Sequence, residues 1–176
     1  MPDDDILKDK RILIVDDEPD ILETLEDLLD ICLVDTAPDF ETGKKSLKKN
    51  VYDAAIFDIM GVRGYELLKL AKERNIPALM LTAHALNPEA LMRSIKEGAQ
   101  SYVPKDKMAE IPVFVKDMLL SRQKGIKKQG RWFTRLKPFF DKEFGREWRK
   151  NDEAFWKEFD ATYAWRISKD ELGDIM

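Results

Sequence analysis

Two short stretches decide the fold of this chain: residues 11–20, which read RILIVDDEPD, and residues 52–61, which read YDAAIFDIMG. In each, four apolar residues are followed directly by aspartate, at Asp16 and Asp17 in the first stretch and at Asp58 in the second. Apolar runs this short are typical of strands in a buried parallel sheet. Ligands of such sheets bind beyond the carboxyl ends of the strands.

The three aspartates therefore predict a site. If the two strands are neighbours, Asp16, Asp17 and Asp58 meet at one edge of the sheet. Like charges at close range are unfavourable unless a cation neutralises them. The pattern thus favours a Mg²⁺ site built around a carboxylate nucleophile.

Strand and helix signals alternate from these stretches to about residue 120. We predict strands at 11–15, 33–37, 54–57, 78–81 and 101–103, and helices at 19–30, 40–48, 64–74, 88–97 and 108–120. The helices are indicated by apolar residues repeated on one face, such as Leu25 and Leu29, and by stop signals such as Gly98. Five β-α units indicate an α/β fold with a doubly wound, five-stranded parallel sheet.

Composition limits the class of protein. With 176 residues, 44% of them apolar, the chain allows one ordinary domain and an appendage. Residues 1–10 lack the pattern of a signal peptide, and no apolar run approaches the roughly 20 residues that span a bilayer. The single cysteine, Cys32, cannot form an internal disulfide, which suits a reducing compartment. We therefore expect a cytoplasmic protein without a membrane span.

Charge divides the chain into two parts. Residues 1–120 carry 24 acidic and 16 basic side chains, a balance of −8, whereas residues 121–176 carry 10 acidic and 14 basic ones, a balance of +4. Such asymmetry indicates separate parts. We predict a domain at 1–120, a basic linker at 121–130 (SRQKGIKKQG), and an aromatic amphipathic helical extension at 131–176.

The extension contains all four tryptophans of the protein. Its large apolar residues recur at helical spacing in two stripes: Trp132, Phe133, Leu136, Phe139, Phe140, Phe144 and Trp148, then Phe155, Trp156, Phe159 and Tyr163. Because Pro138 falls inside the first stripe, we expect a helix to start there rather than to run through it.

Three roles remain open for this extension. It packs as a structural addition, or it forms a homodimer or protein-partner surface, since aromatic residues and arginine are enriched at binding hot spots. In the third role, the segment 124–150, with 10 basic and 3 acidic residues, binds nucleic acid or an acidic membrane. No helix-turn-helix pattern is evident, so nucleic-acid binding is the least favoured, while the first two roles are compatible.

Residues 9–120 resemble the receiver domain of two-component response regulators, which has a flavodoxin-like fold. The resemblance rests on positions that match in order: Asp16-Asp17, Asp58, Thr82, Tyr102 and Lys105. It implies that Asp58 is the phosphoacceptor, that Thr82 and Tyr102 are the switch residues, and that Lys105 binds the phosphoryl group. Any one of these residues alone is weak evidence; together they are a specific pattern.

The resemblance also implies a chemistry. Asp58 attacks a phosphoryl group and becomes an aspartyl phosphate. Both groups are anionic, so the reaction needs a bridging ion. Asp17, Asp58 and the carbonyl of Met60 are the implied direct Mg²⁺ ligands, and Asp16 holds a liganding water. Mg²⁺ suits this sparse site because it keeps several waters.

The implied function is signalling rather than enzymatic catalysis, with at most slow self-dephosphorylation. A histidine kinase or a phosphotransfer protein supplies the phosphoryl group. Phosphorylation of Asp58 draws Thr82 inward and lets Tyr102 follow, which changes the surface near the last two receiver helices. This is a two-state shift biased by a local charge.

Two departures from the family pattern matter, and the first of them, a short loop, leaves an alternative open. The family usually has a proline and then a glycine eight residues after the phosphoacceptor. Here residues 58–64 read DIMGVRG, which has no proline and is shorter than that pattern by two residues. Pro104 also precedes Lys105, whereas the family usually has proline after this lysine. The alternative is a pseudo-receiver, an interaction scaffold that is phosphorylated and switched weakly.

Two further readings of single motifs are weaker. Residues 55–62, AIFDIMGV, resemble the opening motif of haloacid-dehalogenase-type phosphatases. That motif needs a second aspartate where Met60 stands, and methionine cannot transfer a proton. His84, two residues after Thr82, lies where it could influence water access to an acyl phosphate, but a plain loop position is the favoured reading.

Overall fold

The computed structural model describes residues 6–123 and 131–161 of the chain. It divides into two compact units, with the boundary between Leu120 and Ser121. Within the described ranges, every helix is too short or too polar to cross a bilayer.

The first unit is built on five strands: β1 (Arg11–Val15), β2 (Leu33–Ala37), β3 (Ala54–Asp58), β4 (Ala78–Thr82) and β5 (Ser101–Pro104). They form one sheet in the order β2-β1-β3-β4-β5, and all four pairings are parallel. This confirms the predicted doubly wound, five-stranded parallel sheet. Strand order reverses between β1 and β3, which is where such sheets bind ligands.

The helices of this unit are α1 (Pro19–Leu28), α2 (Phe40–Lys49), α3 (Gly64–Glu73), α4 (Pro88–Lys96) and α5 (Ile111–Gln123). Local sequence explains where they begin. Asp39 and Asn87 cap α2 and α4, each accepting a 2.8 Å hydrogen bond from a backbone N–H three residues on. Proline occupies the first position of α1, where a backbone N–H would have no acceptor within the helix.

The predicted start of the last receiver helix is wrong. Residues Lys105–Glu110 form a 3₁₀ helix instead, and α5 begins at Ile111. Pro112, the second residue of α5, suits the first turn of an α-helix. The helix continues to Gln123, into the segment predicted as linker; the rest of that segment, 124–130, lies outside the described residues.

The burial of the strands explains why their apolar sequences predict them. Every residue of β3, β4 and β5 is buried, as is all of β1 except Arg11. Burying a side chain such as Phe57 contributes about 1.5–3 kcal/mol. The register pairs Val15 with Phe57, Asp58 with Leu81 and Thr82 with Pro104, so these strands end along one edge.

The second unit contains α6 (Arg131–Phe144), a 3₁₀ helix (Trp148–Asp152) and α7 (Glu153–Phe159). The predicted helical extension is confirmed, but the predicted helix start at Pro138 is wrong, because α6 runs through this residue. Phe133 and Phe140, on either side of the proline, are buried with ring centroids 6.0 Å apart. Their packing offsets the roughly 3 kcal/mol that an internal proline costs a helix.

Aromatic rings make up the interior of this unit. Trp156 stacks on Phe133 at 5.5 Å between ring centroids and meets Trp148 edge-on at 4.9 Å. The indole N–H of Trp148 donates to Asp141 at 2.9 Å, which satisfies its buried polar group. Tyr163 and Trp165, which the sequence placed in the same extension, lie outside the described residues.

Candidate functional site

Three carboxylates meet where β1 and β3 end. One oxygen each from Asp16, Asp17 and Asp58 lie within 4.8 Å of one another. Asp16 and Asp17 directly follow β1, and Asp58 is the last residue of its neighbour β3. The parallel pairing of the two strands therefore produces the acidic cluster that the sequence led us to expect.

The members of the cluster differ in exposure. Asp16 and Asp58 are only 1% and 4% exposed, whereas Asp17 is exposed. The Oδ1 atom of Asp16 accepts a 2.9 Å hydrogen bond from the Glu18 N–H, and its buried Oδ2 lies 3.0 Å from the Lys105 ammonium. A carboxylate oxygen can accept more than one hydrogen bond, so Oδ2 can also hold a water that is bound to a cation.

Lys105 brings the one ammonium group that contacts this cluster among the described residues. Its Nζ lies 3.0 Å from Asp16 Oδ2, 3.6 Å from Asp58 Oδ1 and 3.7 Å from Glu18. The residue directly follows β5, whose last residue pairs with Thr82, and its side chain is 8% exposed. Burial lowers the pKa of Lys105, but the adjacent carboxylates outweigh it and raise the pKa, so the ammonium stays charged.

Burial changes the titration of Asp16 and Asp58. Burial, assisted by the negative charge of Asp16, raises the pKa of Asp58 to about 7, and Lys105 only partly opposes this. Burial also raises the pKa of Asp16, against the Glu18 N–H and Lys105. One ammonium thus leaves the cluster short of positive charge. An oxygen-only donor set that lacks positive charge fits a Mg²⁺ ion.

A short loop joins Asp58 to α3. Gly61 takes φ +88° and Arg63 takes φ 55°, both in the left-handed region, and these turn the chain directly into the helix. Gly64 packs so close to the strand end that a Cβ there would lie 2.2 Å from the Asp58 carbonyl oxygen. Met60 stands in this loop with its side chain half exposed. Sequence reasoning used Gly64 to measure the length of the loop but missed the role of Gly61.

Thr82 and Tyr102 are joined through one backbone residue. The Thr82 hydroxyl oxygen accepts a 2.8 Å hydrogen bond from the Ala85 N–H, and the Tyr102 hydroxyl donates to the Ala85 carbonyl at 2.7 Å. Both side chains are buried, so Tyr102 already lies inward in this structure. Sequence reasoning missed Ala85, because its backbone and not its side chain makes the connection. His84 is exposed in the same loop.

Comparison with protein families gives one match. The model described as "Response regulator receiver domain" matches residues 12–116. A two-component response regulator of Arabidopsis thaliana is 30% identical over 135 residues, covering 73% of this chain and 20% of the relative. The transcriptional regulatory protein RprY of Bacteroides fragilis is 31% identical over 125 residues, covering 68% and 52%. The chain therefore spans between a fifth and about half of the length of these relatives.

Solved structures agree with this match. A response regulator receiver domain protein from Methanospirillum hungatei superposes with a TM-score of 0.61 and 29% identity, covering 66% of this chain and 98% of that chain. A putative response regulator from Chloroflexus aurantiacus gives a TM-score of 0.57 and 30% identity, covering 65% and 99%. In both cases nearly the whole solved chain corresponds to about two thirds of this one.

Proposed function

This chain belongs to the response regulator receiver domain family, and from that premise we propose that it accepts a phosphoryl group on Asp58 and signals through protein contacts. One observation carries the proposal. Asp58 is buried at the carboxyl edge of the sheet, in an acidic cluster with Asp16 and Asp17 and 3.6 Å from the Lys105 ammonium. This arrangement combines a nucleophile, oxygen ligands for a cation and a fixed positive charge.

The proposed reaction is a direct displacement at phosphorus. An Asp58 carboxylate oxygen attacks the phosphorus of a phosphohistidine on a histidine kinase or phosphotransfer protein. A P–O bond to Asp58 forms while the P–N bond of the donor breaks, and its electron pair stays on the imidazole. Because nucleophile and phosphoryl group are both anionic, positive charge must offset their repulsion.

The donor set fits Mg²⁺, which would supply that positive charge when bound. We assign Asp17, Asp58 and the Met60 carbonyl as direct ligands, and Asp16 as the residue that holds a liganding water. The buried Oδ2 of Asp16 supports the last assignment, because beside its contact with the Lys105 ammonium it can accept a further hydrogen bond from water. Mg²⁺ keeps several waters and uses few protein carboxylates, so a site with only two direct carboxylates is suitable.

Lys105 and Thr82 would stabilise the phosphorylated state. The ammonium of Lys105 needs only to exchange its contact with Asp16 for one with a phosphoryl oxygen, since both carboxylates already lie within 3.6 Å. The Thr82 hydroxyl would donate to another phosphoryl oxygen. Since Thr82 and Tyr102 both bond to Ala85, a shift of the hydroxyl would reach Tyr102 through that residue.

The output is proposed to be protein binding by a cytoplasmic signalling protein, with at most slow self-dephosphorylation. The aromatic extension would add a structural or dimerising surface, and nucleic-acid binding is the weaker proposal.

Intact-mass measurement tests the proposal. With Mg²⁺ and a small phosphodonor, the chain should gain one phosphoryl group, and Asp58→Asn should abolish the gain. Equal labelling of the variant would remove Asp58 from the mechanism. An unlabelled wild-type chain would favour the scaffold alternative, which the short loop after Asp58 suggests.

A further inference from the structure

We infer that Gly61 is a positioning residue for the metal site, because the carboxylate of Asp17 occupies the space that a side chain at residue 61 would fill. The inference rests on the proposed function in one respect: it takes Asp17 as a Mg²⁺ ligand. It concerns a residue that belongs to the short loop of this chain and that contributes no side chain of its own.

The carboxylate of Asp17 lies against the Cα of Gly61. A Cβ built at this glycine would lie 2.6 Å from Asp17 Oδ2, 2.8 Å from its Cγ and 2.9 Å from its Oδ1. All three separations are shorter than van der Waals contact. The glycine also has φ +88°, where residues with a Cβ are strained. Both the backbone conformation at residue 61 and the adjacent carboxylate of Asp17 therefore favour glycine there.

The obstacle at Gly61 is movable, unlike the one at Gly64. At Gly64 a Cβ would meet the backbone carbonyl of Asp58, which is fixed in the sheet. At Gly61 the three nearest atoms all belong to the end of one exposed side chain, that of Asp17. A methyl group there would therefore turn Asp17 away from Asp16 and Asp58 rather than disrupt the strand. The fold would survive, and the cation site would lose a ligand.

The short loop gives this contact its significance. Gly61 follows Met60, whose carbonyl is a proposed ligand, and it touches Asp17, another proposed ligand. The backbone of the loop lies against Asp17 at this point, and glycine leaves room for the carboxylate. Asp17 thus keeps its place beside Asp16 and Asp58 despite the shortened loop.

The first test compares two glycines with matched backbones. Gly98 has φ +98°, but a Cβ there would meet only the flexible end of Lys72, at 3.1 Å. Gly61→Ala and Gly98→Ala therefore carry similar backbone strain, while only the first displaces a carboxylate. Calorimetric titration of the full chain with Mg²⁺ should show affinity weakened about tenfold or more in Gly61→Ala, and unchanged in Gly98→Ala. Unchanged binding in Gly61→Ala, or an equal loss in both, would overturn the inference.

The second test needs no metal. Urea unfolding in a chelator is measured for wild type, Gly61→Ala, Asp17→Ala and the double variant. If Gly61 makes room for Asp17, Gly61→Ala should destabilise the wild-type background more than the Asp17→Ala background. Equal losses would overturn the inference. Should Gly61→Ala fail to fold, folding of the double variant would support it, and failure of both would contradict it. A wild-type chain that binds no Mg²⁺ would refute the proposed function. The comparison of the four proteins tests the contact between Gly61 and Asp17 independently of that result.

Discussion

The Lys105 ammonium lies 3.0 Å from the buried Oδ2 of Asp16, closer than its 3.6 Å approach to Asp58. In this state the lysine compensates the acidic neighbour more than the proposed phosphoacceptor. A phosphoryl group on Asp58 would compete for the same ammonium. The contact between Lys105 and Asp16 therefore stabilises the unmodified form and has to be exchanged when Asp58 is modified.

Replacing Lys105 by methionine keeps the length of the side chain and removes its charge. Because this leaves Asp16 buried without a cation, the metal-free protein should lose about 3 kcal/mol of unfolding free energy near pH 8. Urea denaturation measures the loss, and Lys8→Met, at an exposed lysine, is the control. Mg²⁺ should restore part of the stability. A variant as stable as wild type would contradict the importance of this ion pair.

The raised pKa of Asp58 predicts that Asp58→Asn stabilises the metal-free protein. The folded pKa is about 7 and the unfolded value is 3.8, so the native state holds this proton more tightly. Wild-type stability therefore falls as pH rises from about 4 to 7. Asparagine does not ionise, so the gain should be of the order of a few kcal/mol above pH 7 and should vanish below about pH 4. Melting temperatures of both proteins across this pH range test the prediction. A stability gain that does not vary with pH would contradict a raised pKa of Asp58.

The sequence predicted the sheet because its strands are buried on both faces and leave a clear apolar pattern. Because Asp16, Asp58 and Lys105 lie at or directly after strand ends, the sheet also predicts that they approach one another. The contact between Gly61 and Asp17 was not predictable, because it depends on the exact path of a loop. Pro138 was misjudged because local propensity disfavours it, while aromatic packing with Phe133 and Phe140 overrides that preference.

Metal binding should depend on Asp17 more than on Asp16. Asp17 is the proposed direct ligand, whereas Asp16 is proposed to act through water. Calorimetric titration with Mg²⁺ should show binding lost in Asp17→Asn and weakened in Asp16→Asn. Intact binding in both variants would rule out the assigned ligands.

The Thr82 hydroxyl should contribute to stability as well as to switching. Thr82→Val removes the acceptor for the buried Ala85 N–H, so we expect a loss of about 1–3 kcal/mol. Thr82→Ser keeps the oxygen and should preserve this hydrogen bond. Chemical denaturation of the two variants compares them directly; equal stability would mean that the Ala85 N–H finds another acceptor.

Pro138→Ala should stabilise the second unit. The proline lies inside α6, where it removes a backbone donor and crowds the preceding turn, at a cost of roughly 3 kcal/mol relative to alanine in an unconstrained helix. Because its side chain is exposed, the replacement removes little buried surface. We therefore expect the free energy of unfolding to rise by about 1–3 kcal/mol.

All four tryptophans lie in 131–176, so their emission during urea unfolding reports this unit selectively. Pro112→Ala is the matched control, because proline is well tolerated in the first turn of α5, and it should leave the tryptophan transition unchanged. A lower stability of the second unit in Pro138→Ala would contradict this prediction. It would mean that the packing of the aromatic rings requires proline at this position of α6.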